Sequence, residues 1–193
     1  RATVRYVGEH CVIYVAEGAW FHDVLVGRLG EAFDTRVYET VTEAYGQEPN
    51  PGIDGGAKIN ILIYDFGDRP LGSIRGSFNP PDIDPPVLES GEHDLSNHRE
   101  IFYLNLHALI DDPDNMGALA AHEFAHLISH YRDVMLDPSP SAAPEDRWLG
   151  EGLAVYAEHL CGYEAQAAAY FAVFADDLDT SLTRWSGVIR DYG

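Results

Sequence analysis

An α+β fold is predicted from three features of this 193-residue sequence. Two β-branched apolar runs, 11–17 (CVIYVAE) and 58–64 (KINILIY), flank a helical stretch. A third strand-like run, 101–106 (IFYLNL), follows a long polar connection. From there on the patterning is helical, so the front half is mixed and the back half is built of helices. Hydrophobic residues make up 46% of the chain, enough to close a core.

The first strand is 11–17, rich in the side chains that suit a pleated surface. A helix over about 20–45 follows. Its residues Val26, Leu29, Phe33, Val37 and Val41 recur at steps of three and four and form one inward stripe. Gly46, Pro49 and Pro51 end it. Residues 58–64 are apolar on both faces, as in a strand buried inside a sheet. The Gly-, Pro-, Asp- and Asn-rich stretch from Gly67 to His98 is a long irregular connection, with one short strand near Ser73–Phe78. The partial alternation of 101–106 places that strand closer to the sheet edge. Asp111-Asp112-Pro113-Asp114-Asn115 is a loop with N-cap candidates for a helix starting near Met116. Two more helices are expected, over about 146–161 and, Ala-rich, 164–176.

Thirty-two acidic residues against 12 basic ones give a formal charge of -20. Such a surface repels phosphate backbones and anionic lipid, so neither nucleic acid nor a membrane is expected as partner. No stretch approaches the roughly 20 apolar residues that a membrane-spanning helix needs. Cys11 and Cys161 are too few for a disulfide scaffold; they form either one bridge or two buried thiols. A monomer is expected.

The chemistry concentrates in His122-Glu123-Phe124-Ala125-His126. Histidines at i and i+4 lie one turn apart on one helix face, so both imidazoles can reach one cation. Glu123 lies about 100° round from His122. From there its carboxylate can take a proton from a metal-activated water without ligating the metal. Phe124 and Ile128 fall on the opposite side, where core packing would hold the helix still. A catalytic zinc keeps three protein ligands, and His₂Glu is an established set. Trp148-Leu149-Gly150-Glu151-Gly152-Leu153-Ala154-Val155-Tyr156-Ala157-Glu158 offers Glu151 as the third. Glu158, two turns further along the same face, is placed to accept a hydrogen bond from the second nitrogen of a ligand histidine.

HEFAH followed by WLGEGLAVYAE resembles the gluzincin metallopeptidases, and most nearly the hyicolysin-like secreted bacterial metallopeptidases. GEHC near the start and SNHREIFYL before the active helix are also similar to that group. The resemblance implies a zincin-type fold: a single catalytic domain, 1–193, with sheet and active-site helix in a front lobe (1–131) and a helical back lobe (132–193). It implies Zn²⁺ on His122, His126 and Glu151, Glu123 as general base, Glu158 behind a ligand, secretion, and a peptide or protein substrate. In related enzymes a Tyr or His of the back lobe steadies the oxyanion. Tyr163 and Tyr170, seven apart, read as packing residues, which leaves Tyr192, with further helix expected beyond Gly193. Gly150 stands where the family usually has Asn.

Other readings are weaker. Ser129 and Arg132 break the metzincin pattern, and no Gly-x-Met-Glu-Asn run marks an aminopeptidase, so an endopeptidase is expected. His130 in place of Glu151 is conceivable, but a surface histidine on the last turn is the better reading. The different-class alternative is a catalytically impaired zinc-binding or protein-binding module that keeps the peptidase scaffold; retention of Glu123 speaks against it. Asp82, Asp84, Asp94, Asp111, Asp112 and Asp114 offer hard oxygens for Ca²⁺. They match no EF-hand loop, and a solvated acidic loop is preferred. The other histidines, His10, His22, His93, His98, His107 and His159, have no ligand spacing.

Overall fold

The computed structural model describes residues 1–67, 74–84, 96–137, 139, 143–176, 181 and 183. Five strands form one mixed sheet with helices packed on it, an α+β architecture consistent with a zincin-like fold. The strands are β1 (Ala2–Val7), β2 (Cys11–Ala16), β3 (Ile59–Tyr64), β4 (Gly76–Phe78) and β5 (Ile101–Asn105), in the order β1-β2-β3-β5-β4. The inner three are parallel and the two edges antiparallel. A parallel pair requires a crossover. Helices α1 (Asp23–Ala32) and α2 (Tyr38–Tyr45) supply it between β2 and β3.

The single helix expected over 20–45 is two α-helices joined by a π-helical turn, Phe33–Val37. The stripe explains the turn. After Leu29 its members step by four each time, more than the 3.6 residues of an α-turn, so a straight α-helix would carry them off the core. The wider π-turn absorbs the excess, and Val26, Leu29, Phe33, Val37 and Val41 are all fully buried. Gly46 then ends α2 at φ 96°, a conformation that favours glycine.

The centre of the molecule is α4 (Met116–His130), buried nearly all round. Phe124 is fully buried, 5.2 Å from the Phe33 ring and stacked 5.8 Å from Tyr38. Ile128 is fully buried as well. Asn115 occupies the N-cap position but makes no capping bond; its amide donates to Asp112 instead, at 2.9 Å. Before it, Leu106–Asp111 form a short helix, α3, capped by the Asn105 side chain at 3.1 Å. Behind α4 pack α5 (Arg147–Leu160) and α6 (Glu164–Ala175). The Tyr45 hydroxyl donates to the Leu153 carbonyl at 2.7 Å, tying α2 to α5.

Cys11 and Cys161 are two separate buried thiols, and burial pushes both pKa values up, that of Cys161 to about 11. Among the described residues no helix is long and apolar enough to cross a membrane.

Candidate metal centre

One turn of α4 and the start of α5 bring three ligand atoms to one point. His122 Nε2 and His126 Nε2 are 3.2 Å apart. Glu151 Oε2 is 3.3 Å from the first and 3.6 Å from the second. Donors held at about 2.0–2.1 Å in a tetrahedron stand about 3.3–3.4 Å from each other. The triangle therefore fits a four-coordinate ion with one position left open. Two imidazoles and a carboxylate suit zinc, a borderline-soft cation. Among the described residues this is the only such group of His, Cys, Asp or Glu side chains.

Glu158, two turns after Glu151, sits behind this triangle. His122 Nδ1 donates to its Oε1 at 2.8 Å, which fixes the tautomer and leaves Nε2 facing the other two ligand atoms. Burial alone would keep the His122 ring neutral. Hydrogen bonds to Glu151 and Glu158 outweigh it and push the metal-free pKa up to about 10. Burial would likewise raise Glu151, but the bonds from both histidines carry it below the usual carboxylate range.

Glu123 is directed elsewhere. It is buried, and burial pushes its pKa up against the pull of His122 and His126. The Phe78 backbone N–H is turned toward its carboxylate and favours the charged form. That contact follows from the register of β4. The Asn105 N–H donates to the Arg75 carbonyl at 2.8 Å, and Ser77 pairs with Tyr103. In an antiparallel ladder the bonded positions alternate, so Gly76 and Phe78 turn their N–H and C=O groups to the free edge. The edge strand thus runs past Glu123, and it runs close. A Cβ at Gly76 would stand 2.5 Å from Glu123 Oε1 and 2.8 Å from its Cγ. Only glycine leaves that room.

Of the residues singled out in sequence, His122, His126, Glu151 and Glu158 are brought together, with Glu123 beside them. Tyr163 packs against Gly117 and lies under the Arg36 guanidinium, 5.4 Å from ring centroid to Cζ, and Tyr170 is half-buried on α6. Tyr192 lies outside the described residues, as do His93 and Asp94. A Cβ at Gly150 would meet nothing within 4 Å, so packing does not demand glycine there.

Ca²⁺ finds no support, since among the described residues the aspartates do not converge on one point, and the expected solvated acidic loop is corrected at Asp82. Buried Asp82 is occupied by the Tyr103 hydroxyl and the Asn97 N–H, both at 2.5 Å, and by the Asn79 amide at 3.1 Å. Asp112 pairs with Arg75 and Asp114 with Arg28. Nor is His130 a surface histidine. Its side chain is 10% exposed, and its Nε2 donates to Asp84 at 2.7 Å. Sequence reasoning missed Gly76 and Phe78, and it missed that His130 and Asp84 pair. The one available signal was a glycine inside a strand, which often marks a close backbone approach.

No family model matches the chain. It is similar to a protein named neutral metalloprotease ShpI from Staphylococcus hyicus, with 29% identity over 169 residues. The alignment covers 82% of this chain and 36% of that protein, so the chain spans about a third of its relative's length.

Proposed function

We propose that the chain is the catalytic part of a secreted, zinc-dependent endopeptidase of the gluzincin type, acting as a monomer on peptide or protein substrates. The observation that carries this reading is the triangle of His122, His126 and Glu151 with buried Glu123 beside it. The similarity to a neutral metalloprotease supports it at the level of a metal-dependent peptidase.

Zinc at this point would supply the Lewis acidity that lowers the pKa of a water and polarises a scissile carbonyl. His122 and His126 would hold the ion through Nε2, and Glu151 would add one negative charge through Oε2. Glu158 keeps the His122 ring in place through Nδ1–H. The Glu123 carboxylate takes the proton of the attacking water and delivers it to the leaving amine nitrogen. Its raised pKa suits a group that must both accept and return a proton. The outward N–H and C=O of Gly76 are a pairing site for an extended main chain, which would add to the sheet as one more strand. An edge of that kind does not require a free substrate terminus, and this favours endopeptidase action. Tyr192 is the candidate oxyanion donor.

Glu123→Gln tests the reading. The variant should keep one zinc per chain and lose roughly 10²- to 10⁴-fold in kcat on a peptide blocked at both ends. A variant as active as the wild type, or a zinc-loaded wild type that cleaves no peptide, would overturn it.

A further inference from the structure

Resting on the proposed peptidase reading, we infer that His130 is a positioning residue that, through Asp84, latches the edge strand β4 against Glu123. His130 is eight residues beyond His122 on α4, one turn past His126, and its Nε2–H donates to Asp84 Oδ1 at 2.7 Å. Asp84 comes two residues after a short 3₁₀ turn, Pro80–Asp82, which itself follows β4. The helix carrying the base thus holds the far end of the segment that lines the base. The His130 side of the contact is shielded, its side chain 10% exposed and its ring 5.8 Å from that of Phe78, while the Asp84 side chain is 37% exposed. The carboxylate makes this a charge-assisted bond, with one partner held out of water.

The latch matters because β4 is short and sits at an edge. Three residues of ladder bind it to β5, and its other side faces Glu123. The missing side chain of Gly76 makes the space for the carboxylate, and the Phe78 N–H is turned toward it. Asp82 secures the middle of the connection from the β5 side, through Tyr103. Asp84 secures it from the α4 side. With the second tie cut, β4 can draw away from α4 while the three ligand atoms, whose polar partners His122, His126 and Glu151 lie on α4 and α5, keep their places. A base displaced by about 1 Å costs on the order of 10²-fold in rate.

The test compares His130→Ala and Asp84→Ala with Asp84→Asn, which keeps an acceptor for the imidazole N–H. Amide hydrogen exchange of Phe78 is measured on metal-free protein, and zinc affinity, kcat and KM on the loaded enzyme. The two alanine variants should exchange the Phe78 amide at least about tenfold faster and lose about 10- to 100-fold in kcat, with KM and zinc affinity within about threefold of wild type. Asp84→Asn should recover most of both effects. Unchanged Phe78 exchange in both alanine variants overturns the latch. So does zinc affinity falling in step with kcat, because His130 would then act through the metal site. Should the wild type prove inactive on every peptide, the proposed function fails while the exchange data still decide the latch.

Discussion

Glu158→Gln isolates the contribution of one hydrogen bond to metal affinity. Glu158 is 4% exposed, and its Oε1 accepts the His122 Nδ1–H at 2.8 Å. Glutamine keeps an acceptor oxygen on the same frame and removes the charge. A bond to a charged group is worth about 1.5–3 kcal/mol and a neutral one about 1 kcal/mol, so the change costs roughly 0.5–2 kcal/mol. The bond exists with and without zinc, and it favours the ion by holding the neutral ring with Nε2 forward. Lost in full from the zinc-bound state, a change of that size raises the zinc Kd by roughly 2- to 30-fold. Glu158→Ala, which strands a buried N–H, should approach the upper end of the 10- to 100-fold range usual for outer partners of metal ligands. Competition against a chromophoric chelator at fixed pH reads both values. At saturating zinc the glutamine variant should keep a kcat near wild type, because Glu123 and β4 are untouched. A Kd within twofold of wild type would show that packing of α4 alone orients His122, and the argument from Glu158 would be wrong.

Two further outcomes follow from the same coordinates. Zinc must displace a proton, because carboxylates on both sides push metal-free His122 up to about 10 while a ligand imidazole is neutral. The sign follows. A raised folded pKa stabilises the metal-free fold below the unfolded value near 6.5, and this is lost as pH rises through about 10. Apparent zinc affinity therefore climbs with pH across that window, and calorimetry in two buffers of different ionisation enthalpy should report about one proton released per ion at pH 7.5. No dependence on buffer would refute it. Gly150→Ala should stabilise α5 by about 1 kcal/mol, a rise in Tm of roughly 2–4 °C, since a Cβ there meets nothing. A lower Tm would mean that the glycine serves an approach these contacts do not account for.

The metal group was legible in sequence because its geometry is mostly local. Helical periodicity puts His122 beside His126, and puts Glu158 two turns above Glu151 on one face. Only the meeting of the two helices is tertiary, and the fuller motif around Glu151 pointed to it. The helical stripe of 26–41 was readable for the same reason, although its steps of four concealed a π-turn. β1 was readable, since Arg1–Tyr6 alternate polar and apolar residues, although it lies at the sheet edge and is exposed along almost its whole length. The other misses lack any such signal. α3 is six residues long and abuts β5 with only the Asn105 side chain to mark the boundary. The pairings of His130 with Asp84 and of Gly76 with Glu123 join residues 46 and 47 positions apart, across a connection without periodicity. Nothing in local pattern can register such contacts. The acidic residues read in sequence as a solvated loop, while the fold buries Asp82 against Tyr103 and gives Asp84 to His130.

The central claim is tested most directly by anomalous diffraction at the zinc absorption edge from crystals of the zinc-loaded protein. The account predicts one strong peak per chain, about 2.0–2.2 Å from His122 Nε2, His126 Nε2 and a Glu151 oxygen, with the Glu123 carboxylate outside that inner shell. A peak that uses Glu123 or His130 in place of Glu151, or no peak between α4 and α5, would contradict it.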